Sequence, residues 1–310
     1  MRFETNGTFG ANSRITHPET GEVVSLAGKL GSSEVFEAIV GSPTQEFDDT
    51  LYGSNADEAM IYDLTLGGVN ALRLKGFHEI GLGGGDDVLD LTTRPANDDQ
   101  PYDPSTTTGG PGYAYVLAGE GGDDVIWKAG LGSSLIFGDE QGGIDASGGD
   151  DRIHGGDGED EIYGEGFDVA AGGVAGDDVL NGGAGDDFVI GDTSELTASG
   201  ARAGNDVIIG GTGNDLLWGD AREASDAAQS GDDVFVFAPG DGRDLIQDFG
   251  RGDDTIDLSA WGFAGIDDLT IERSDDYVVG IALDEDDYIS LLSETFDPPA
   301  DLTADDFIFA

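Results

Sequence analysis

One nine-residue unit limits what this chain can fold into more than any other feature of its 310 residues. It occurs intact as Gly155-Gly156-Asp157-Gly158-Glu159-Asp160-Glu161-Ile162-Tyr163, as Gly182-Gly183-Ala184-Gly185-Asp186-Asp187-Phe188-Val189-Ile190 and as Gly210-Gly211-Thr212-Gly213-Asn214-Asp215-Leu216-Leu217-Trp218. Each copy reads G-G-x-G-x-D-x-U-x, with U a large aliphatic residue. Glycine at three of the first four positions admits positive φ and lets the backbone close in on an ion where a Cβ would interfere. The turn is therefore mostly carbonyl oxygen, and the sixth position adds a carboxylate. Hard oxygen donors of this kind suit calcium and do not suit zinc or copper. The x-U-x tail is a very short strand with one inward side chain, so two units make one full coil with ion seats between turns stacked on the same side.

The unit resembles the calcium-binding nonapeptide of RTX (repeats-in-toxin) proteins. That resemblance implies an all-β fold: a parallel β-roll, wound as a right-handed solenoid, holding several Ca2+ ions, with inserted loops and a C-terminal β cap. A reduced form, G-[D/N/R]-D-x-U, is first recognisable at 85–89 and returns at 122–126, 149–153, 176–180, 204–208, 231–235, 242–246 and 252–256. The metal-ligating candidates are Asp87, Asp124, Asp151, Asp160, Asp178, Asp187, Asp206, Asp215, Asp233, Asp244 and Asp254, joined in the turns by Gly155, Asp157, Gly182, Ala184, Gly210 and Thr212.

From Asp151 onward these aspartates alternate short and long spacings, and the long gaps have two readings. Either each hides a degenerate repeat with its own strand, or it is one turn carrying an inserted loop. A hidden strand needs an apolar residue to bury, yet in register the U position falls on Ala171, Ala198 and Asp226. The glycine intervals from Gly138 through Gly164 and Gly191 to Gly219 also drift, as loops do and stacked coils should not. Loops are favoured. Asp160, Asp187, Asp215 and Asp244 are then expected on one edge, and Asp151, Asp178, Asp206 and Asp233 on the other. Ile153, Ile162, Leu180, Val189, Ile208, Leu217, Phe235 and Ile246 are expected to fill a narrow interior, with Trp127, Tyr163 and Trp218 facing outward under the loops.

Four regions are expected. Residues 1–46 form a β-rich segment without an assigned role, and 47–118 an irregular start of the roll with an exposed proline-rich loop at 94–112. Residues 119–257 form the calcium-binding roll, and 258–310 the cap and export signal. Longer apolar strands at 277–281 and 288–292 would close an edge that otherwise invites aggregation. The stretch from 231 to 259 resembles the region following the repeats in serralysin-type proteases, and the acidic-then-apolar 302–310 resembles an uncleaved type I secretion signal.

Charge narrows the partners. With 13 Lys+Arg against 65 Asp+Glu, a formal net of -52, the chain is not expected to bind nucleic acid or an anionic membrane unless cations bridge the two. There are no cysteines, which excludes disulfides and thiolate metal sites. Nothing in the sequence is long and apolar enough to span a bilayer, and the N-terminus has no signal-peptide core. Motifs for catalysis are also missing: His78-Glu79 is not followed by the second histidine of H-E-x-x-H, and there is no G-x-S-x-G. No catalytic residue is assigned, and His17, His78 and His154, far apart in sequence, are expected as surface or turn residues. The expected function is a secreted protein that leaves the cell through type I machinery, folds on extracellular calcium and plays a structural, adhesive or matrix role. The alternative is an exoenzyme of lyase or epimerase type acting on acidic extracellular polysaccharide, built around Tyr113, Tyr115, Lys128 or Arg152.

Overall fold

The computed structural model describes residues 7–17, 20–31, 39–40, 50–54, 56, 59–61, 65–66, 69–70, 74–75, 79–92, 115–128, 132–140, 147–225, 228–250, 254–273, 278–292 and 302–310. The proline-rich loop 94–112, His78, Tyr113 and Asp226 lie outside the described residues, as does the side chain of Tyr115.

Strands that are too short to stand alone build two long sheets by pairing with the same strand one level away. The eleven-stranded sheet runs Thr50–Ser54, Glu79–Gly84, Tyr115–Gly121, Ser134–Phe137, Glu161–Tyr163, Phe188–Ile190, Leu216–Trp218, Arg243–Ile246, Tyr288–Leu292, Val278–Ala282 and Thr270–Arg273. The nine-stranded sheet runs Ala59–Ile61, Val88–Asp90, Val125–Trp127, Arg152–His154, Val179–Ala184, Val207–Thr212, Val234–Val236, Thr255–Asp257 and Phe307–Ile308. As far as Thr255–Asp257 the chain visits the two sheets alternately, and within them pairing is parallel except on the two sides of Val278–Ala282, which runs antiparallel to both Thr270–Arg273 and Tyr288–Leu292. The fold is all-β with parallel sheets, consistent with a β-roll.

The U positions interlock between the sheets. Ile153, Ile162, Leu180, Val189, Ile208, Leu217, Phe235 and Ile246 share one buried cluster, which Met60, Leu89 and Ile126 extend toward the N-terminus and Ile256, Ile281, Ile289 and Phe307 toward the C-terminus. A single aliphatic layer per level is a thin core, so burial by itself stabilises this chain weakly against its conformational entropy.

The long gaps contain no hidden level. Glu161–Tyr163 pairs directly with Phe188–Ile190, and that strand with Leu216–Trp218. The gaps are inserted segments, yet they stack, contrary to the expectation that drifting intervals rule this out. Thr193–Leu196 pairs in parallel with Ala221–Ala224, and single bridges join Ser147 to Val174, Val174 to Arg202 and Arg202 to Gln229. Small apolar side chains make this possible: Val169, Ala175, Leu196, Ala201 and Ala221 pack into a subsidiary core of their own. Hydrogen-bonded levels are offset by 27 residues at Asp151–Asp178 and by 28 at Asp178–Asp206, a one-residue difference that the inserted turn absorbs without shifting either sheet.

The N-terminal segment is placed by the outer face of the nine-stranded sheet. Phe9, Ile15 and Leu26 pack on Ala59, Val88, Val125 and Trp127, so Trp127 is covered by this segment and not by an inserted loop. Tyr163 does lie beneath an inserted segment, with the Phe167 ring edge-on at 5.5 Å. The tail expected as an export signal is folded, a capping box at Thr303 leading into Phe307–Ile308, which pairs with Thr255–Asp257.

Candidate metal centres

The sixth-position aspartates form two ladders, one along each edge where the chain crosses between sheets. On the edge of the intact nonapeptides, Oδ1 of Asp187 accepts the backbone N–H of Asp160 at 2.7 Å, Oδ1 of Asp215 that of Asp187 at 2.8 Å, and Oδ1 of Asp244 that of Asp215 at 2.9 Å. On the opposite edge the same contact links Asp87 to Asp124, Asp124 to Asp151, Asp151 to Asp178, Asp178 to Asp206, Asp206 to Asp233 and Asp233 to Asp254. The expected division of the aspartates between edges is thus the observed one, and all of these side chains are buried.

One oxygen of each carboxylate is spoken for by the backbone; the other is the chemically significant one. Oδ2 of Asp124, Asp151, Asp178, Asp187, Asp206 and Asp215 is buried without a hydrogen-bond partner. These oxygens converge with glycine carbonyls. A methyl group placed on Gly164 would overlap both the Gly191 carbonyl oxygen and Asp178 Oδ2, and one on Gly182 would overlap the Gly210 carbonyl oxygen and Asp187 Oδ2. At each such point a carbonyl oxygen and a carboxylate oxygen close in on the glycine together, a donor pair that suits a calcium ion and leaves no room for a side chain. The second glycine of the turn is fixed by conformation as well: Gly183 and Gly211 have φ of 106° and 95°, which side chains with a Cβ rarely adopt.

The remaining sequence candidates sit in these turns. Gly155, Gly182 and Gly210 adjoin the Oδ2 atoms of Asp160, Asp187 and Asp215. Asp157 and Thr212 have exposed side chains, so only their backbones face the turn, and the Thr212 carbonyl already accepts the Gly185 N–H at 2.9 Å. Ala184 pairs with Thr212 in the parallel ladder.

A further row of acids was not among the sequence candidates. Asp139, Glu165, Asp192, Asp220 and Asp248 follow the eleven-stranded sheet's strands and are buried on that opposite edge, the wide edge, where the inserted segments lie. Asp192 Oδ1 accepts the Gly204 N–H at 2.9 Å and Asp220 Oδ1 the Gly231 N–H at 2.7 Å, while Asp192 Oδ2 has no partner. Glu165 accepts from the Gly176 N–H and lies against Gly148, where a methyl would overlap both its oxygens. The signal was present in the sequence, since Ile136-Phe137-Gly138-Asp139, Ile162-Tyr163-Gly164-Glu165, Val189-Ile190-Gly191-Asp192 and Leu217-Trp218-Gly219-Asp220 share a pattern, but it falls in the gaps between nonapeptides.

Packing so many acids together without cations shifts them all the same way. Burial, before any neighbouring charge, pushes the carboxyls of Asp124 and Asp187 up to about 8, Asp215 and Asp244 to about 7 and Asp233 to about 10. Asp151, Asp178, Asp192, Asp206 and Glu165 are raised well above the usual range for the same reason. Among the described residues Lys128 is the only buried lysine or arginine. No three acidic or histidine side chains converge on one point among the described residues, so an ion here would take carboxylates singly or in pairs and complete its shell with carbonyls.

Two histidines depart from expectation. His17 and His154 are brought together with rings stacked at 4.4 Å, and His17 meets Trp127 edge-on at 5.0 Å. Both are buried, not surface residues, and burial pushes His154 down to about 4. Of the residues considered for catalysis, Lys128 is sealed in an ion pair with Asp160, and exposed Arg152 lies 3.7 Å from Glu22.

Stacked acidic turns on parallel sheets define a repeat protein whose turns, and not its core, carry the chemistry. Residues 144–169, 172–193 and 201–221 match the RTX calcium-binding nonapeptide repeat, in 4 copies. The chain carries RTX repeats, and repeats of this kind bind Ca2+. Comparison with curated proteins gave no match.

Proposed function

We propose that this chain is a secreted calcium-binding protein whose two sheets wind as a β-roll solenoid only when ions occupy its turns. The observation carrying this reading is the pair of carboxylate ladders, in which Asp124, Asp151, Asp178, Asp187, Asp206 and Asp215 each accept a backbone N–H through Oδ1 while Oδ2 is buried without a hydrogen-bond partner. Asp187, Asp215 and Asp244 with the adjoining glycine carbonyls would hold ions on one edge. Asp87, Asp124, Asp151, Asp178, Asp206, Asp233 and Asp254, supported by Glu165 and Asp192, would hold them on the other. Two carboxylates about 4 Å apart repel by roughly 1 kcal/mol even in a water-like dielectric, and more where water is excluded, so an empty roll is opposed at every level. Calcium neutralises the ladders and joins each level to the next, and binding to the folded state alone stabilises it by mass action.

Extracellular calcium modules typically bind at roughly 0.1–1 mM, which would keep the chain open in the cytosol and closed outside. Proteins with RTX repeats are typically extracellular, in keeping with this switch. The antiparallel strands ending the eleven-stranded sheet would serve as a cap, and residues 302–310 as a type I export signal that folds after release. The role outside would be structural, adhesive or matrix-forming, with the inserted segments as the surface offered to partners.

The test is circular dichroism of the purified chain in chelator, in millimolar calcium and in sodium chloride of equal ionic strength. A β-rich spectrum is expected only with calcium. Equal compactness and cooperativity after exhaustive dialysis against EGTA would overturn the reading.

A further inference from the structure

The turn one level before the first intact nonapeptide departs from its successors in two residues at once. Trp127 pairs with His154 and Leu135 with Glu161, which puts Lys128 where the next level has Gly155 and Ser134 where it has Asp160. The backbone ladder runs on unbroken, since the Ser134 N–H donates to Asp160 Oδ1 at 2.6 Å just as the Asp160 N–H donates to Asp187 Oδ1 at 2.7 Å. The charge does not. This turn has given up the carboxylate that every later one carries and has gained an ammonium.

Lys128 Nζ lies 2.8 Å from Oδ1 and 2.8 Å from Oδ2 of Asp160, with both side chains 0 % exposed. In the following levels the corresponding Oδ2 atoms, of Asp187 and Asp215, have no partner. An ammonium donates three hydrogen bonds and, like a metal ion, presents compact positive charge to oxygen donors. Ser134 in place of an aspartate also removes the anion that a divalent ion would need and a monovalent one does not.

We propose that Lys128 is a tethered cation standing in for calcium at the first position of the nonapeptide-edge ladder. This rests on the calcium reading above. Asp160, a metal-ligand candidate in sequence, is then neutralised from within the chain, and its rung takes no ion.

Calcium stoichiometry decides the matter. The full chain and its Lys128→Gly, Ser134→Asp double variant, which restores the residues of the later turns, are titrated by calorimetry and assayed for bound metal after gel filtration. The variant is expected to bind one more calcium per chain. An unchanged count in a variant that binds calcium overturns the role of Lys128 and leaves the calcium reading intact; a wild-type chain that binds none removes that reading itself. A second measurement does not depend on the variant folding. In saturating calcium, amine acetylation read by mass spectrometry should leave Lys128 protected while Lys29 is modified, and modification of Lys128 at the rate of Lys29 would show that calcium, not the lysine, occupies the Asp160 rung.

Discussion

At the scale of single residues, the buried aspartates couple the fold to both protons and calcium. With no metal bound, burial holds Asp187 up to about 8 and Asp215 and Asp244 up to about 7, well above the unfolded value of about 4. A raised carboxyl pKa contributes stability that is fully present below the unfolded value and is lost as pH rises through the folded one. In chelator, acidification from about pH 8 to about pH 4 should therefore increase β-sheet ellipticity. With calcium present the sign reverses, because protons compete for the same Oδ2 atoms, and the calcium midpoint should rise as pH falls. A chelated chain whose spectrum does not respond to acid would count against buried carboxylates as the obstacle to folding. Replacing Asp187 and Asp215 together by alanine should raise the calcium midpoint on the order of ten-fold, since affinity in such sites follows the number of charged ligands. Replacing Asp168, exposed in an inserted segment, should leave it in place.

At the scale of turns and strands, the inserted segments do more than connect. Their backbones pair level to level, and they carry Glu165 and Asp192 into the wide edge. Glu165→Gln and Asp192→Asn should each raise the calcium midpoint although neither residue lies in a nonapeptide, and calorimetry would show a missing or weakened class of sites. Gly164→Ala tests the wide edge differently. Its methyl would overlap the Gly191 carbonyl and Asp178 Oδ2, so the variant should lose binding there even though no ligand has been removed. For the interior, Ile162→Ala in saturating calcium should cost about 2–5 kcal/mol by urea unfolding, the usual range for truncating a buried isoleucine.

For the whole molecule, the N-terminal segment completes the first levels by covering Val88, Val125 and Trp127. Deleting residues 1–46 should shift tryptophan emission to the red in the calcium-loaded protein, with Trp127 newly exposed; emission unchanged from the full chain would mean the segment does not dock. This contact was invisible in the sequence, because residues such as Phe9 and His17 follow no period and meet partners more than a hundred positions away.

The sequence alone determined the local arrangement: glycine and aspartate in fixed phase dictate tight acidic turns, one aliphatic residue per short strand dictates a thin interior, and together they set which aspartates share an edge. Only the tertiary structure decided what lies between the repeats and which charges meet. Stacking of the inserted segments depends on alanines matched across levels, the second acid row on strands from neighbouring levels, and the pairing of Lys128 with Asp160 on register between residues 32 apart. Periodicity encodes contacts that recur at every level, whereas a contact made once leaves no repeating trace and exists only when the chain has closed upon itself.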